Sequence, residues 1–288
     1  MSAVLVTGAA GMLGQDLLAV LHGSGAHKVT ARTRAELDIT DPASVAASVA
    51  GHDVVINAAA WTDVDAAETR EQEAAAVNGA GVANLAAGCA ETGARLIHVS
   101  TDYVFAGDAT VPYAEDAPTD PINAYGRSKL AGETAVRRLT PDGGYVVRTA
   151  WLYGAHGPNF VKTMLRLAGE REQLDVVDDQ RGQPTWSFAL AQQLVALADA
   201  AVAGRAAPGI YHGTAAGETT WYGLARAALA ERGLDPDRVR PITSERFQRP
   251  ARRPTYSVMG HGRWAAAGID VQPHWRAGLT EALRHGDW

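Results

Sequence analysis

The chain has 288 residues, a length that accommodates one large domain or a nucleotide-binding domain with a smaller lobe. Apolar residues make up 47% and charged residues 20%, and this balance excludes a disordered or fibrous chain. The 32 acidic residues outnumber the 26 basic ones, and the net charge of −6 argues against a nucleic acid or an anionic membrane surface as the main partner.

The chain has a single cysteine, Cys89, which cannot form an internal disulfide, and the spacing of Cys and His residues matches no metal-ligand set. We therefore predict no such metal site and expect a reducing, cytoplasmic environment. The sequence starts with the short apolar run 4–6 and lacks the charged and long apolar regions of a signal peptide. No apolar run approaches the ~20 residues that span a bilayer, so we expect no membrane segment.

Short β-branched runs alternate with Ala/Leu-rich stretches in the first half of the chain, which is the pattern of βα units on a parallel sheet. Strands are predicted at residues 4–7, 28–31, 54–57, 95–100 and 145–148. Helices, with apolar residues at helical spacing, are predicted near residues 12–21, 42–50, 71–91 and 124–139. We therefore predict an α/β protein with a Rossmann-type, doubly wound parallel sheet.

A glycine-rich turn, residues 7–14, links the first predicted strand to the first helix. Its glycines, Gly8, Gly11 and Gly14, permit a tight turn and close approach of the backbone. A dinucleotide pyrophosphate could lie on the free N–H groups and the positive dipole of the helix N-terminus. The place of the turn after the first strand favours dinucleotide binding over a glycine turn without a ligand.

The end of the second predicted strand distinguishes between the two nicotinamide cofactors. An acid there would bond the ribose 2′-hydroxyl, whereas an arginine would accommodate a 2′-phosphate. This strand runs into Arg32 and Arg34, which predicts a preference for NADPH and leaves use of NADH open. The small residues 58–60 end the third strand and would let the cofactor approach closely.

Tyr125 and Lys129 lie four residues apart on one face of a predicted helix. Reduction of a carbonyl needs a proton for the developing alkoxide, and a phenol supplies it near neutral pH when a cation stabilises its phenolate. Thr101 follows the fourth strand, at the edge where open sheets bind ligands, and would hydrogen-bond the reacting oxygen. We predict these three as catalytic residues, with Tyr125 and Lys129 also contacting the cofactor.

The regular alternation weakens after Trp151. Residues 179–185, 213–220 and 248–257, rich in Gly, Pro, Arg and Thr, are predicted loops. We predict residues 1–150 as the dinucleotide-binding domain. Residues 151–288 are predicted mainly as a smaller C-terminal substrate-binding lobe, with some segments returning to the first domain and the substrate in the cleft between them.

Nearly the whole chain resembles the dTDP-4-dehydrorhamnose reductase family, within the extended short-chain dehydrogenase/reductase superfamily. The most specific motifs are 57–68 (NAAAWTDVDAAE), 100–105 (STDYVF), 125–133 (YGRSKLAGE), 148–154 (RTAWLYG) and 178–185 (DDQRGQPT). The resemblance implies transfer of a hydride from NADPH to the C4 keto group of a dTDP-linked 6-deoxyhexose, with Tyr125 as proton donor.

The same resemblance implies roles for further residues. Those expected at the cofactor phosphates and adenine are Gly11, Met12, Leu13, Asp38 and Ile39. Those expected at the nicotinamide half are Ala60, Trp61, Thr62 and Val99, beside the small cofactor-binding residues Ala58 and Ala59. The sugar would be held by Thr101 and Asp102, within a pocket completed by Val64, Tyr103 and Trp151. Asn159 and the loop Arg252-Arg253-Pro254 are expected at the nucleotide diphosphate, where fixed donors are needed.

Some family members bind Mg²⁺ through acidic residues at a dimer contact. Residues 186–189 offer no carboxylate, so we predict no metal ligands and leave both Mg²⁺ and a homodimer open. Within the family, dTDP-dihydrostreptose synthase or another antibiotic deoxysugar 4-ketoreductase is the close alternative.

Two rival functions lie outside that reductase activity. A nucleotide-sugar 4,6-dehydratase or 4-epimerase is disfavoured because Asp102 is followed by Tyr103 and not by a second acid. A non-catalytic NADP-binding regulatory subunit is disfavoured by the intact catalytic residues.

Overall fold

The computed structural model describes residues 1–285 and Trp288. Gly286 and Asp287, in a terminal stretch to which the sequence assigns no role, lie outside the described residues. No helix among the described residues is both long and apolar enough to cross a membrane.

The elements occur as follows. The strands are β1 (Ser2–Thr7), β2 (His27–Arg32), β3 (Val54–Asn57), β4 (Arg95–Thr101), β5 (Gly144–Thr149), β6 (Leu152–Tyr153), β7 (Leu174–Val177), β8 (Arg181–Gly182), β9 (Thr185–Trp186), β10 (Gly209–His212), β11 (Ala215–Ala216), β12 (Thr219–Thr220), β13 (Val239–Ile242) and β14 (Gln272–His274). The helices are α1 (Met12–Ser24), α2 (Pro42–Val49), α3 (Val64–Ala67), α4 (Glu71–Ala75), α5 (Val82–Thr92), α6 (Ala124–Leu139), α7 (Phe160–Glu170), α8 (Ser187–Val202), α9 (Trp221–Glu231) and α10 (Trp275–His285).

A six-stranded parallel sheet with the order β2-β1-β3-β4-β5-β10 forms the centre of the protein. The predicted Rossmann-type sheet is therefore confirmed, with all five predicted strands present. Alternate residues point to opposite faces: Val4 and Val6 pack with α1 and α8, whereas Leu5 packs with α2 and α5. Helices cover both faces, which is why the strands are continuous apolar runs.

The single helix predicted near residues 71–91 is interrupted in its middle. The structure has α4, then a π-helical segment at Ala76–Gly81, and then α5. The wider turn places Asn78 where its side chain binds the backbone N and O of Trp61 (2.9 and 3.1 Å) and the hydroxyl of Ser128 (2.9 Å). Such single π turns often occur at functional sites.

The second half of the chain contributes both to the sheet and to a separate layer. Helix α8 packs on α1, and β10 extends the central sheet beside β5. The predicted loops 179–185 and 213–220 contain short strands: β8 in the first pairs antiparallel with β12 in the second. Helices α7, α9 and α10 enclose two further apolar clusters, which form the body of the C-terminal part.

A buried ion pair fixes α6 against the sheet. Arg148 on β5 donates to the Glu133 carboxylate through Nε (3.0 Å) and Nη2 (2.7 Å), and both side chains are 2% exposed. The hydroxyl of Ser100 on β4 donates to the same carboxylate at 2.6 Å. Every charge in this pair has a partner, as a buried pair requires.

Substitution Glu133→Leu should lower the free energy of unfolding by about 3–5 kcal/mol, because it leaves the Arg148 charge buried without a partner. The double variant Glu133→Leu/Arg148→Met should recover most of this loss. Urea unfolding followed by tryptophan fluorescence measures both. Glu170→Gln, in the exposed Arg166–Glu170 pair, is the control and should change stability by less than about 1 kcal/mol. Equal losses of stability in Glu133→Leu and Glu170→Gln would contradict the conclusion that the buried pair stabilises the fold more than an exposed pair does.

Candidate active site

The glycine turn between β1 and α1 fits a dinucleotide. Gly8 has a φ of +67°, and a side chain there would lie 2.6 Å from the backbone N of Ala59. A side chain at Gly14 would overlap the Gly8 carbonyl. Gly11 occupies the N-cap of α1 without a side-chain cap, so the first N–H groups, including those of Met12 and Leu13, remain free for a phosphate.

The predicted adenine-side residues lie beside this turn. Arg32 ends β2 opposite Thr7, and its carbonyl accepts from the Ala9 N–H at 3.1 Å. Hydrogen bonds from the backbone and hydroxyl of Thr40 hold the pKa of Asp38 below its usual range. Ile39 is 4% exposed, and its side chain packs in the core between the sheet and α5. Its role in the structure is therefore to support the backbone next to Asp38.

The segment after β3 forms the next part of the cleft. Residues 58–60 and Trp61 are half-buried, and Thr62 is exposed. The Trp61 indole N–H donates to the Asp63 carbonyl at 2.8 Å, and the Arg70 guanidinium lies 4.7 Å from the ring centroid. The side chain of Asn78 holds the Trp61 backbone. Sequence reasoning missed Asn78, although the glycines at 79 and 81 inside an Ala-rich helix are an unusual feature that could have indicated it.

The three predicted catalytic residues come together at the carboxyl end of β4. Asn123 caps α6 by accepting from the Gly126 N–H at 2.8 Å, which begins the helix just before Tyr125. Lys129 is buried, and its Nζ donates to the Val99 carbonyl at 2.6 Å. The Thr101 hydroxyl interacts with the Tyr125 phenol. Thr101 and Tyr125 are therefore neighbours, and Lys129 follows Tyr125 by one turn of α6.

Burial shifts the pKa of each titratable group among these residues. Desolvation lowers the pKa of Lys129 to about 8 and raises that of Tyr125 above its usual value. The negative charge of Asp102 raises the Tyr125 pKa further, whereas the Thr101 hydroxyl opposes the shift. The phenol therefore holds its proton at neutral pH, which is the state that a proton donor needs.

Asp102 is 3% exposed and begins the turn after β4. Its Oδ1 accepts from the Thr101 hydroxyl at 3.0 Å, and its pKa is raised to about 6, mainly by burial. Tyr103 follows, and its ring meets that of Tyr125 edge to face at 5.8 Å. Val64, at the start of α3, is half-buried.

Trp151 has an unusual backbone, with a φ of +48°. Its ring stacks on Trp221 of α9 at a centroid distance of 3.7 Å and an angle of 9°. The Trp221 N–H donates to Gln180 Oε1 at 3.1 Å. A positive φ in a bulky residue costs about 1–3 kcal/mol and is found mainly at functional sites. Sequence reasoning identified Trp151 but missed Trp221 and Gln180.

Asn159 and the loop Arg252-Arg253-Pro254, predicted at the diphosphate, differ in what they contact. Asn159 caps α7, accepting from the Lys162 N–H at 3.0 Å while its amide donates to the Gly154 carbonyl at 2.8 Å. The choice of Arg252 needs correction. Arg252 is exposed, whereas the neighbouring Arg253 turns inward to Asp65 and the Tyr103 ring. Adjacent residues of an extended segment point to opposite sides, so Arg253 is the better candidate.

The polar side chains around residues 186–189 can be compared with the oxygen ligands that Mg²⁺ requires. Ser187 donates its hydroxyl to the Asp16 carboxylate, and His156 Nε2 lies 3.7 Å from the other oxygen. Among residues 1–285 and Trp288, no group of three or more His, Cys, Asp or Glu side chains could hold a metal ion. The donors around Asp16 therefore do not fit a magnesium site made by one chain.

Substitution Asp102→Asn should stabilise the cofactor-free protein more at pH 7.5 than at pH 4. The folded carboxyl binds its proton up to about pH 6, whereas the unfolded one releases it near its ordinary value, about 3.9. The contribution of Asp102 to stability is thus present below about pH 4 and lost as the pH rises through 6, a difference of about 2–3 kcal/mol. Urea unfolding at pH 4, 6 and 7.5 measures it.

The matched control is Asp63→Asn at the exposed N-cap of α3, since asparagine also caps a helix. A stability difference between Asp102→Asn and the wild type that does not vary with pH would show that the Asp102 carboxyl has an ordinary pKa in the folded protein.

Comparison with known proteins agrees with the geometry. The family model described as the RmlD substrate binding domain matches residues 1–287. A dTDP-4-dehydrorhamnose reductase of Streptomyces griseus is 55% identical over 97% of this chain and 92% of its own. A dTDP-4-keto-6-deoxy-D-glucose reductase of Streptomyces niveus is 54% identical over 97% and 96%. The structure of a Bacillus anthracis dTDP-4-dehydrorhamnose reductase in complex with NADP has a TM-score of 0.92 and 36% identity, covering 98% of this chain and 99% of that one. The chain therefore belongs to the dTDP-4-dehydrorhamnose reductase family, as its motifs predict.

Proposed function

We propose that this protein is an NADPH-dependent reductase that converts the C4 keto group of dTDP-4-dehydrorhamnose to an alcohol. The observation that carries the proposal is the meeting of Thr101, Tyr125 and Lys129 at the carboxyl end of β4. Relatives at 48–55% identity that bear this enzyme name support the substrate.

When bound, NADPH supplies a hydride to C4 of the sugar. Tyr125 then gives its phenolic proton to O4, so that the carbonyl becomes an alcohol and the phenolate is reprotonated from solvent. The Lys129 ammonium, one turn further along α6, stabilises that phenolate. Thr101 directs the substrate oxygen towards the phenol. Tyr125 must begin protonated for this sequence, and its raised pKa ensures that it does.

The two parts of the chain divide the ligands between them in this proposal. Residues 1–150 bind the cofactor through the glycine turn, Arg32 and the segment after β3. Residues 151–288 mainly shape the sugar-nucleotide pocket, with α8 and β10 returning to the first domain. The proposed pocket residues are Val64, Thr101, Asp102, Tyr103, Trp151, Asn159, Trp221 and Arg253.

A second substrate within the same reaction class is favoured by the relative from Streptomyces niveus, which is named for dTDP-4-keto-6-deoxy-D-glucose. This sugar is the unepimerised form of the first candidate. A dihydrostreptose product stays the further alternative.

A dehydratase would need a second acid directly after Asp102. Tyr103 occupies that position, and burial raises its pKa, so an elimination step lacks its second acid.

The test is a coupled assay that generates dTDP-4-keto-6-deoxyglucose in place, with and without a 3,5-epimerase, and follows NADPH absorbance. Epimerase-dependent oxidation with dTDP-rhamnose identified by NMR supports the first substrate. Turnover without the epimerase supports the second, and a ring-contracted sugar supports dihydrostreptose formation. Absence of NADPH consumption despite NADPH binding would overturn the reductase proposal and favour a regulatory subunit.

Substitution Tyr125→Phe should lower kcat by about 10²–10⁴-fold, the usual contribution of a positioned general acid. Steady-state rates with the substrate identified above measure this effect. Tyr145→Phe is the control, because its hydroxyl binds the Ala206 carbonyl at 3.0 Å inside the core. A near-normal kcat in Tyr125→Phe would mean that another group donates the proton.

Substitution Arg32→Asp should shift the preference from NADPH towards NADH by at least about tenfold in kcat/KM, since the guanidinium bond to a 2′-phosphate becomes a repulsion. Parallel kinetics with the two cofactors measure the ratio. Lys28→Asp makes the same charge change at the exposed, opposite end of β2 and should leave the ratio unaltered. An unchanged ratio in Arg32→Asp would remove Arg32 from the cofactor site.

A further inference from the structure

A long segment, residues 244–257, passes beside Asp65 and Tyr103 and is here named the strap. At one end, Ser244 binds the Asp179 carboxylate through its N–H (2.8 Å) and hydroxyl (2.7 Å). At the other end, the Thr255 N–H donates to the Gly107 carbonyl at 2.9 Å, and the Ser257 N–H donates to the Arg181 carbonyl at 3.0 Å. One end of the strap is thus held by the side chain of Asp179 in the C-terminal part. The other end is held by backbone carbonyls of Gly107 and Arg181, one from each half of the chain.

The middle of the strap is held at two places: the Asn123 amide donates to the Arg252 carbonyl at 2.9 Å, and the carboxylate of Asp65 on α3 contacts three residues. Its Oδ2 accepts a hydrogen bond from Arg249 Nε at 2.9 Å, and Arg249 Nη2 lies 2.7 Å from the same oxygen in a salt bridge. Its Oδ1 accepts a hydrogen bond from the Ala251 N–H at 3.1 Å and forms a salt bridge with Arg253 Nη2, also at 3.1 Å. The Asp65 side chain is 17% exposed, so these contacts are screened by solvent less than those of a surface pair.

The two arginines on this carboxylate have different surroundings. Arg249 is 49% exposed, and its guanidinium lies 5.6 Å from the ring of Phe247 on the outside. Arg253 is 18% exposed, and its guanidinium lies 5.8 Å from the ring of Tyr103, which in turn meets Tyr125. A line of contacts therefore runs from Asp65 through Arg253 and Tyr103 to the proposed proton donor.

Arg253 also carries a free donor. Its Nη1 is buried and has no hydrogen-bond partner among residues 1–285 and Trp288. Buried donors in native proteins are nearly always paired, and an exception at a binding cleft indicates a partner that arrives with the ligand. In the proposed site that partner is an oxygen of the sugar nucleotide, a class of ligand rich in phosphate and hydroxyl acceptors.

We propose that Asp65 is a positioning residue for the sugar-nucleotide end of the site, which it serves by holding Arg253 against Tyr103 with Nη1 free for a ligand oxygen. This inference rests on the proposed function. Asp65 itself touches neither cofactor nor substrate in this scheme. Its effect should therefore appear in the binding of the sugar nucleotide and not in the binding of NADPH.

The test compares Asp65→Asn, Arg253→Gln and their double variant with Arg249→Gln, which removes the outer arginine from the same carboxylate. Asp65→Asn and Arg253→Gln should each raise the KM for the keto sugar about tenfold, as expected for loss of a charged hydrogen bond. The double variant should resemble Arg253→Gln alone, because both changes act through one contact. Arg249→Gln should stay within about twofold, as an exposed pair does.

Two further readouts separate positioning from a general loss of structure. The KM for NADPH and the thermal unfolding midpoint of Arg253→Gln should stay close to wild type. Calorimetric titration of the NADP⁺-loaded protein with dTDP-glucose should show the same pattern of weakened binding as the kinetics. If Asp65→Asn does not fold, the comparison of Arg253→Gln with Arg249→Gln still decides the matter.

The inference is overturned if Arg249→Gln is as impaired as Arg253→Gln, or if the KM for NADPH rises in step with that for the sugar. It is also overturned if Arg253→Gln binds dTDP-glucose normally. A wild-type protein that neither binds dTDP-glucose nor reduces the keto sugar is a different result, since it refutes the proposed function itself. An active wild type with unaffected variants refutes only the role of Asp65.

Discussion

The contact of α6 with the ends of β4 and β5 is the constraint on which the site depends. Tyr125, Lys129 and Glu133 are spaced by four residues and so lie along one stripe of the helix. Lys129 binds the Val99 carbonyl, and one turn later Glu133 binds Ser100 and Arg148. The face of α6 that contains Tyr125 and Lys129 thus also contains Glu133, whose buried contacts hold the helix against the sheet. A shift of α6 along the sheet would therefore break the buried ion pair between Glu133 and Arg148.

The electrostatics of the site have one common cause, which is removal of water. Desolvation is the largest contribution to the pKa shifts of Lys129, Asp102 and Tyr125, and in each case it favours the neutral form. Groups that are buried before a ligand arrives need no large reorganisation when charge develops on a bound oxygen.

The sequence predicted the parts of the site that depend on local pattern. Short β-branched runs located the strands, and the carboxyl ends of parallel strands meet at one edge of the sheet, so Gly8 and Thr101 could be placed at that edge from the sequence. The missed features depend on contacts between distant residues. Asn78 acts through a π turn that binds Trp61, and Asp65 meets Arg249 across 184 positions. An extended pair such as 252 and 253 must place one side chain outward, but which one depends on a register that only the folded strap sets.

The position of Trp151 shows that the two halves of the protein shape the pocket in different ways. Its positive φ is a local cost, and the compensating contacts come from the stack with Trp221 and from the bond of Trp221 to Gln180. Both partners belong to the C-terminal part, so that part determines where the Trp151 ring lies. The proposed catalytic groups are held by the central sheet and α6 instead. The proposed chemistry therefore depends on rigid elements of the sheet, whereas the position of Trp151 depends on α9 and its neighbouring loops. Residues of α9 could differ between related enzymes without a change in the elements that hold Tyr125.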